Sequence, residues 1–242
     1  MRLKDVEGSA APMPTLAPRG WGTRIVRGGT AADFDGIARA YRWLEYLSLG
    51  TVLERTRFHF LDAGALDRRR EALVLGDGDG RFTRRLLARN REVRVTAVDL
   101  SGAMLGLLER RCAAGSERLR VRRCDARVYE PEARADLVVT HFFLDCLSQD
   151  EVRALVGRLR PLLAADAVWM VSEFRIPEGW LRWPARVLVR LLYFAFWVLT
   201  GLRVTRLPDH GAVLRGGGFE LMAEERRLGG LLISELWGLS RE

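Results

Sequence analysis

Short apolar runs alternate with helical periodicities along most of the chain. The run Ala72-Leu-Val-Leu75 breaks into Gly76, Gly78 and Gly80, and a helix-like segment continues from Phe82 to Leu87. That order predicts a buried strand over 72–76, a tight turn and a helix start. Further apolar runs predict strands at 94–99, 119–123, 136–140 and 167–171, with helical segments between them at 101–113 and 149–163. Phe219–Arg227 and Leu231–Leu239 read as two more strands, joined at Gly229-Gly230. Upstream, Phe34, Ile37, Ala38, Tyr41, Leu44 and Leu47 recur at helical spacing and predict a helix over Asp33–Phe60. Residues 1–30, with Pro12, Pro14 and Pro18, read as a mobile tail.

Strands that are continuously apolar and alternate with helices imply a parallel sheet covered on both faces. The expected fold is therefore α/β, a Rossmann-like, doubly wound, mostly parallel sheet of seven strands. A helical lid over 31–70 precedes a main domain at 71–242, which carries an apolar and basic insertion at 177–206. No internal repeat is present.

Three alternate glycines after a strand suit a ligand that approaches bare backbone, where a side chain would block it. A glycine-rich first turn followed by an acid at the tip of strand two, here Asp99, is how a doubly wound sheet holds an adenosine ribose. The dinucleotide fingerprint G-x-G-x-x-G needs a glycine where Arg81 stands, and no G-K-[ST] follows. Both dinucleotide and nucleoside-triphosphate loops are thereby disfavoured.

In this order the pieces resemble the class I S-adenosylmethionine-dependent methyltransferases. The resemblance covers residues 71–239 and implies a terminal antiparallel hairpin and S-adenosyl-L-methionine as cofactor. It implies that Gly76, Asp77, Gly78, Asp79 and Gly80 run under the methionine part of the cofactor. Asp99 would bind the ribose hydroxyls, Leu100 and Met104 would pack on adenine, and Asp125 beside Ala126 would read the adenine amine. One position departs from the family: Val74 stands where an acid usually precedes the first glycine, leaving Asp77 or Asp79 to supply that carboxylate. The front segment, Phe34, Ile37-Ala38, Tyr41 and Ser48-Leu-Gly50, is similar to the opening of the ubiquinone/menaquinone C-methyltransferase group. That similarity implies Tyr41 as a pocket wall; an ordinary packing helix is the alternative.

The insertion gathers Trp180, Trp183, Pro184, Arg186 and Arg190 before Leu191–Leu202. The apolar stretch between Arg190 and Arg203 spans ~18 Å as a helix, short of the ~20 residues that cross a bilayer. It reads as an interfacial helix touching a membrane surface, a buried lid, or a homodimer contact. In each case it sits beside the ligand end of the sheet and should line an apolar pocket.

Net charge is +8, carried by arginines scattered along the chain, with Lys4 the only lysine. Scattering of this kind argues against a nucleic-acid patch. Cys112, Cys124 and Cys146 form no C-x-x-C pair, so neither a metal site nor a disulfide framework is expected. Free thiols and the absence of an apolar leader after Met1 point to the cytoplasm, with peripheral attachment at the inner membrane through 180–203.

Methyl transfer asks the protein mainly to align nucleophile, methyl and sulfur and to exclude water. A phenol or enol acceptor also needs a base. The candidates lie at the carboxyl ends of strands four and five: His141 with Asp145, and Glu173. Phe142, Phe143 and His210 are expected in the substrate pocket. The Asn/Asp-Pro-Pro-aromatic run of enzymes that methylate amines of nucleic-acid bases is absent after strand four. The expected activity is methylation of a small apolar, quinone-type acceptor. Alternatives are a phospholipid or protein methyltransferase, and a cofactor-binding scaffold without turnover.

Overall fold

The structure, a computed structural model, describes residues 50–200, 204 and 206–240. The tail at 1–30, Tyr41 and the rest of the lid before Gly50 lie outside the described residues, as do 201–203 and 205 of the insertion.

Helix α1 (Gly50–Asp62) leads into a sheet whose parallel strands are β1 (Glu71–Leu75), β2 (Arg94–Asp99), β3 (Leu119–Arg123), β4 (Ala135–His141) and β5 (Leu163–Phe174). Between them run α2 (Arg81–Arg89), α3 (Gly102–Arg111) and α4 (Gln149–Leu159). The insertion forms α5 (Arg182–Thr200), and α6 (His210–Gly216), β6 (Phe219–Arg227) and β7 (Leu232–Leu239) complete the domain. The sheet has seven strands in the order β3-β2-β1-β4-β5-β7-β6. Strand β7 slots antiparallel between β5 and β6, so the terminal hairpin joins the sheet through its second strand.

Alternation along the strands builds two cores. Leu73, Leu75, Val138, Trp169 and Val171 face α4 and α6, meeting Val152, Leu155, Leu159, Val213 and Leu214. Ala72, Val74, Leu137, Val139 and Met170 face α1, α2 and α3, meeting Phe58, Leu61, Phe82, Leu86 and Leu108. Trp169 is wholly buried; truncating such a side chain to alanine costs ~3–5 kcal/mol. Helix starts carry local signals: Ser101 Oγ accepts from Met104 N at 3.2 Å, and Ser148 with Glu151 closes a reciprocal cap on α4.

The largest departure from the sequence expectation is β5. It runs twelve residues, where the apolar core 167–171 marked only its middle. Its polar end stays in the strand because neighbours satisfy it: Ser172 O accepts from Phe142 N at 2.7 Å, and Ser172 Oγ bonds Ser234 Oγ at 3.3 Å. Strand β1 also stops at Leu75, leaving Gly76 to the turn.

Because β1 pairs with β2 on one side and β4 on the other, the strand order reverses there. A crevice opens at such a point beyond the carboxyl ends of the strands. The glycine turn, Asp99 and the residues after β4 and β5 all lie at that end.

Candidate active site

Gly76, Gly78 and Gly80 have φ of 68°, 62° and 81°, a region that side chains other than glycine enter with strain. Their surroundings differ. A Cβ on Gly80 would stand 2.6 Å from Leu108 Cγ, so this glycine lets α2 and α3 close together. A Cβ on Gly76 would strike the Phe143 ring at 2.6 Å. At Gly78 a Cβ would meet nothing within 4 Å. Packing therefore accounts for Gly80 and Gly76, whereas Gly78 presents bare backbone to open space.

Asp99 closes the adjoining side. Its Oδ1 accepts from Ser101 N at 2.9 Å, and the amides of Gly78 and Leu100 also donate to the carboxylate. Burial nevertheless pushes its pKa above the ordinary value. Leu100 is 49% exposed beside it, an apolar side chain held at the crevice, and Met104 lies half-buried on the first turn of α3. Asp125 follows β3. Burial raises its carboxyl, but Arg127 outweighs that and holds it below the usual value; its Nη2 lies 2.6 Å from Oδ2. Ala126 is buried, and its carbonyl accepts from Arg158 Nη2 at 2.9 Å.

The two loop acids have separate duties. Asp79 is paired with Arg81 at 3.2 Å and Arg111 at 3.0 Å. Asp77 Oδ2 accepts from Thr83 N at 2.9 Å and so caps α2 in place of the side chain that Gly80 lacks. Burial lifts the Asp77 carboxyl to about 6.

After β4 the chain turns sharply. Phe142 sits at φ 51°, a strained value for a large side chain, fixed by its amide on Ser172 and by ring contacts with Phe174 at 5.3 Å and the Arg57 guanidinium at 5.1 Å. Phe142 packs with Leu53 and Leu232, and Phe143 covers Gly76.

His141 points to the other face of the sheet. It is 4% exposed, its ring meets Phe82 edge-on at 4.6 Å, and neither nitrogen has a hydrogen-bond partner. Burial, and then Arg57, hold its pKa well below the usual value, so the imidazole is neutral. The expected pairing of His141 with Asp145 does not form. Asp145 lies with Glu173, Cys146 and Tyr193, and Tyr193 Oη of α5 donates to the Asp145 carbonyl at 2.9 Å.

Glu173 is 1% exposed. Its Oε1 accepts from Phe143 N at 3.1 Å and Leu144 N at 2.8 Å, while Oε2 has no partner. Burial first, and then Asp145, keep its pKa well above the ordinary carboxyl range; burial also lifts Asp145 to about 6. The cluster thus holds a proton on Glu173 at neutral pH.

His210, expected as a pocket wall, is engaged with Glu235, its Nε2 2.9 Å from Oε2, and its charge also acts on Asp145. The same carboxylate takes Trp237 Nε1 at 2.9 Å and Arg175. Sequence reasoning passed over Glu235, Arg57 and Tyr193. Only Glu235 left a signal, a lone carboxylate inside the apolar run Leu231–Leu239.

Among the described residues, no group of three His, Cys, Asp or Glu side chains is placed to hold a metal ion.

Residues 72–166 match the family profile described as "Methyltransferase domain". No curated protein matches the chain. Among solved structures, the chain is similar to the pyocyanin biosynthetic protein PhzM, with TM-score 0.63 and 18% identity over 86% of this chain and 62% of PhzM. It is also similar to the 1,6-didemethyltoxoflavin-N1-methyltransferase of Burkholderia thailandensis, solved with its acceptor and S-adenosylhomocysteine, with TM-score 0.59 and 20% identity over 86% of each chain. The N-methyltransferase NodS of Bradyrhizobium japonicum, in complex with S-adenosylhomocysteine, matches with TM-score 0.57 and 14% identity over 79% of this chain and 85% of NodS. The chain spans 62% of the length of PhzM and 56% of the mitomycin 7-O-methyltransferase MmcR. The chain has the seven-stranded, Rossmann-like fold of the class I methyltransferases, and residues 72–166 of it match the methyltransferase-domain profile.

Proposed function

We propose that this protein is an S-adenosylmethionine-dependent methyltransferase acting on a small apolar acceptor of quinone type. One observation carries the reading: bare backbone at Gly78 faces open space directly beside the Asp99 carboxylate. In this reading Asp99 takes the ribose hydroxyls through charge-assisted hydrogen bonds. Leu100 and Met104 flank adenine, and Asp125, shared with Arg127, receives its amine beside Ala126. Asp77 takes the ammonium group, because Asp79 is already held by two arginines. When bound, the cofactor supplies a methyl group activated on a sulfonium centre.

The residues after β4 and β5 handle the acceptor. Phe142 and Phe143 give it apolar walls, and Tyr41 is proposed to add another from the front segment. Asp145, at about 6, is ionised in a large fraction at neutral pH and can receive a phenolic or enolic proton. Glu173 stays protonated, and its unpartnered Oε2 can donate to an acceptor oxygen. His141, neutral and facing Phe82, supports the wall of the cleft rather than serving as the base. An acceptor of this solubility goes with work on the cytoplasmic side of a membrane.

Calorimetric titration with S-adenosylhomocysteine tests the cofactor assignment. Saturable uptake by the wild type and at least tenfold weaker uptake by Asp99→Ala are expected. No saturable uptake by folded wild-type protein rejects the reading.

Val74, 1% exposed where an acid usually stands, favours a second reading, a cofactor-binding scaffold without turnover. Incubation with methyl-labelled cofactor and a lipid extract separates the two, since a scaffold passes on no label.

A further inference from the structure

Helix α5 has two apolar faces, and the described residues cover one of them. At 3.6 residues per turn, positions 183, 187, 191 and 194 fall within about 80° of arc. Trp183, Val187, Leu191 and Phe194 on this arc are 71%, 55%, 60% and 61% exposed, and Trp180 just before the helix is 83% exposed. The opposite side carries Ala185 and Val189, both 7% exposed and packed with Leu231, Phe174, Ile176 and Leu207. A helix that is apolar all round normally has both sides buried. Single exposed apolar side chains are common, but Trp183, Val187 and Leu191 along one arc, with Trp180 just before it, form a patch of the kind that marks an interaction surface.

Charge identifies the partner. Arg182, Arg186 and Arg190 recur along one flank of the exposed stripe, and the Arg186 guanidinium lies 5.7 Å from the centre of the Trp183 ring. Between Glu178 and Asp209 the sequence contains five arginines and no acidic residue. An apolar stripe bordered by tryptophans and arginines, without a carboxylate, complements a surface that is negatively charged at its headgroups and hydrocarbon beneath. It does not suit a soluble acidic protein face, which would leave the stripe wet. Among the described residues, no helix is long and apolar enough to cross a membrane. The covered face of α5 also ties it to the domain, which leaves the outer face to lie flat.

We propose that the outer face of α5, from Trp180 to Phe194, docks the protein on an anionic lipid surface. The inference names a partner for the active site proposed above, on which its role in acceptor delivery rests. Tyr193, about 80° round α5 from the near edge of the stripe, donates to the Asp145 carbonyl. Docking by the outer face therefore sets the lipid surface on the far side of a helix whose inner side meets the catalytic cluster. An apolar acceptor dissolved in the bilayer would then lie near the helix that meets the cluster.

The test is co-sedimentation of the full chain with vesicles of pure phosphatidylcholine and of phosphatidylcholine with phosphatidylglycerol. The wild type should sediment with the anionic vesicles and stay in solution with the neutral ones. Arg186→Glu with Arg190→Glu should weaken the anionic binding at least tenfold, and Trp183→Ala with Leu191→Ala should do the same at low salt. All variants should keep wild-type affinity for S-adenosylhomocysteine, which shows that they are folded. Failure of the wild type to bind anionic vesicles overturns the proposal, as does equal binding by the charge-reversal variant. A dimer by light scattering that Trp183→Ala with Leu191→Ala converts to monomer, without vesicle binding, assigns the stripe to a second copy and also overturns it. Loss of cofactor uptake in every protein, with vesicle binding intact, would sink the enzymatic reading and leave the docking surface standing.

Discussion

The amide of Gly78 donates to the carboxylate of Asp99. The turn after β1 is thereby fastened to the tip of β2 across the strand pairing Leu75 with Val98. The same contact places a carboxylate, with lone pairs to spare, beside backbone that carries no side chain. The proposed cofactor site and the local fold thus share one set of atoms.

Asp99 should be decisive for binding. Replacing it by asparagine keeps one acceptor for the amides of Gly78 and Ser101 but removes the charge. Affinity for S-adenosylhomocysteine should fall about tenfold, or ~1.4 kcal/mol, in calorimetry. The melting temperature should change little.

The loop glycines should separate packing from binding. Gly80→Ala drives a methyl into Leu108 at 2.6 Å and should lower the melting temperature strongly, with partial rescue by Leu108→Ala. Gly78→Ala meets no neighbour, so it should cost only ~1 kcal/mol of backbone strain. Yet it should weaken cofactor binding more than tenfold, because its methyl fills the space proposed for the ligand. Thermal melts and titrations of the two variants together check both halves.

Asp77 should make binding depend on pH. Its carboxyl is lifted to about 6, chiefly by burial, so it is neutral below that value and charged above it. If it receives the ammonium group, affinity for S-adenosylhomocysteine should rise as pH increases from 5 to 7, and Asp77→Asn should flatten the profile. The stability of the unliganded protein should move the other way. A carboxyl whose folded pKa exceeds its unfolded value favours the folded state at low pH and loses that contribution as pH rises through about 6. Melts between pH 4.5 and 7.5 measure this arm.

Glu235 should be a matter of stability rather than of binding. It is 1% exposed and shared by His210, Arg175 and Trp237, linking α6 and the chain after β5 to β7. Glu235→Ala strips three polar groups of their buried partner and should cost ~3–5 kcal/mol by denaturant melts. Affinity for S-adenosylhomocysteine should remain within a few fold of wild type at temperatures where the variant is folded.

The order of strands and helices, the glycine turn, Asp99 and the apolar insertion were legible in the sequence because each rests on local periodicity or on spacing within one strand–turn–helix unit. Leu73 and Val74 advertise a buried strand whatever surrounds them. The length of β5 was not legible, since Ser172 and Glu173 look like a strand end until Phe142 and Ser234 are seen to satisfy them. Nor was the grouping of the catalytic candidates. His141 and Asp145 stand four positions apart in the sequence, yet strand parity sends the imidazole toward Phe82, and the turn at Phe142 sends the carboxylate toward Glu173. The division of labour between Asp77 and Asp79 likewise depends on Arg111, which arrives from α3. The sequence by itself determined which segments are strands, which are helices and where a glycine turn leaves backbone bare, because those follow from neighbours along the chain. Only the tertiary structure decided which side chains face each other and which carboxyls hold their protons, because burial and partners come from segments distant in the chain.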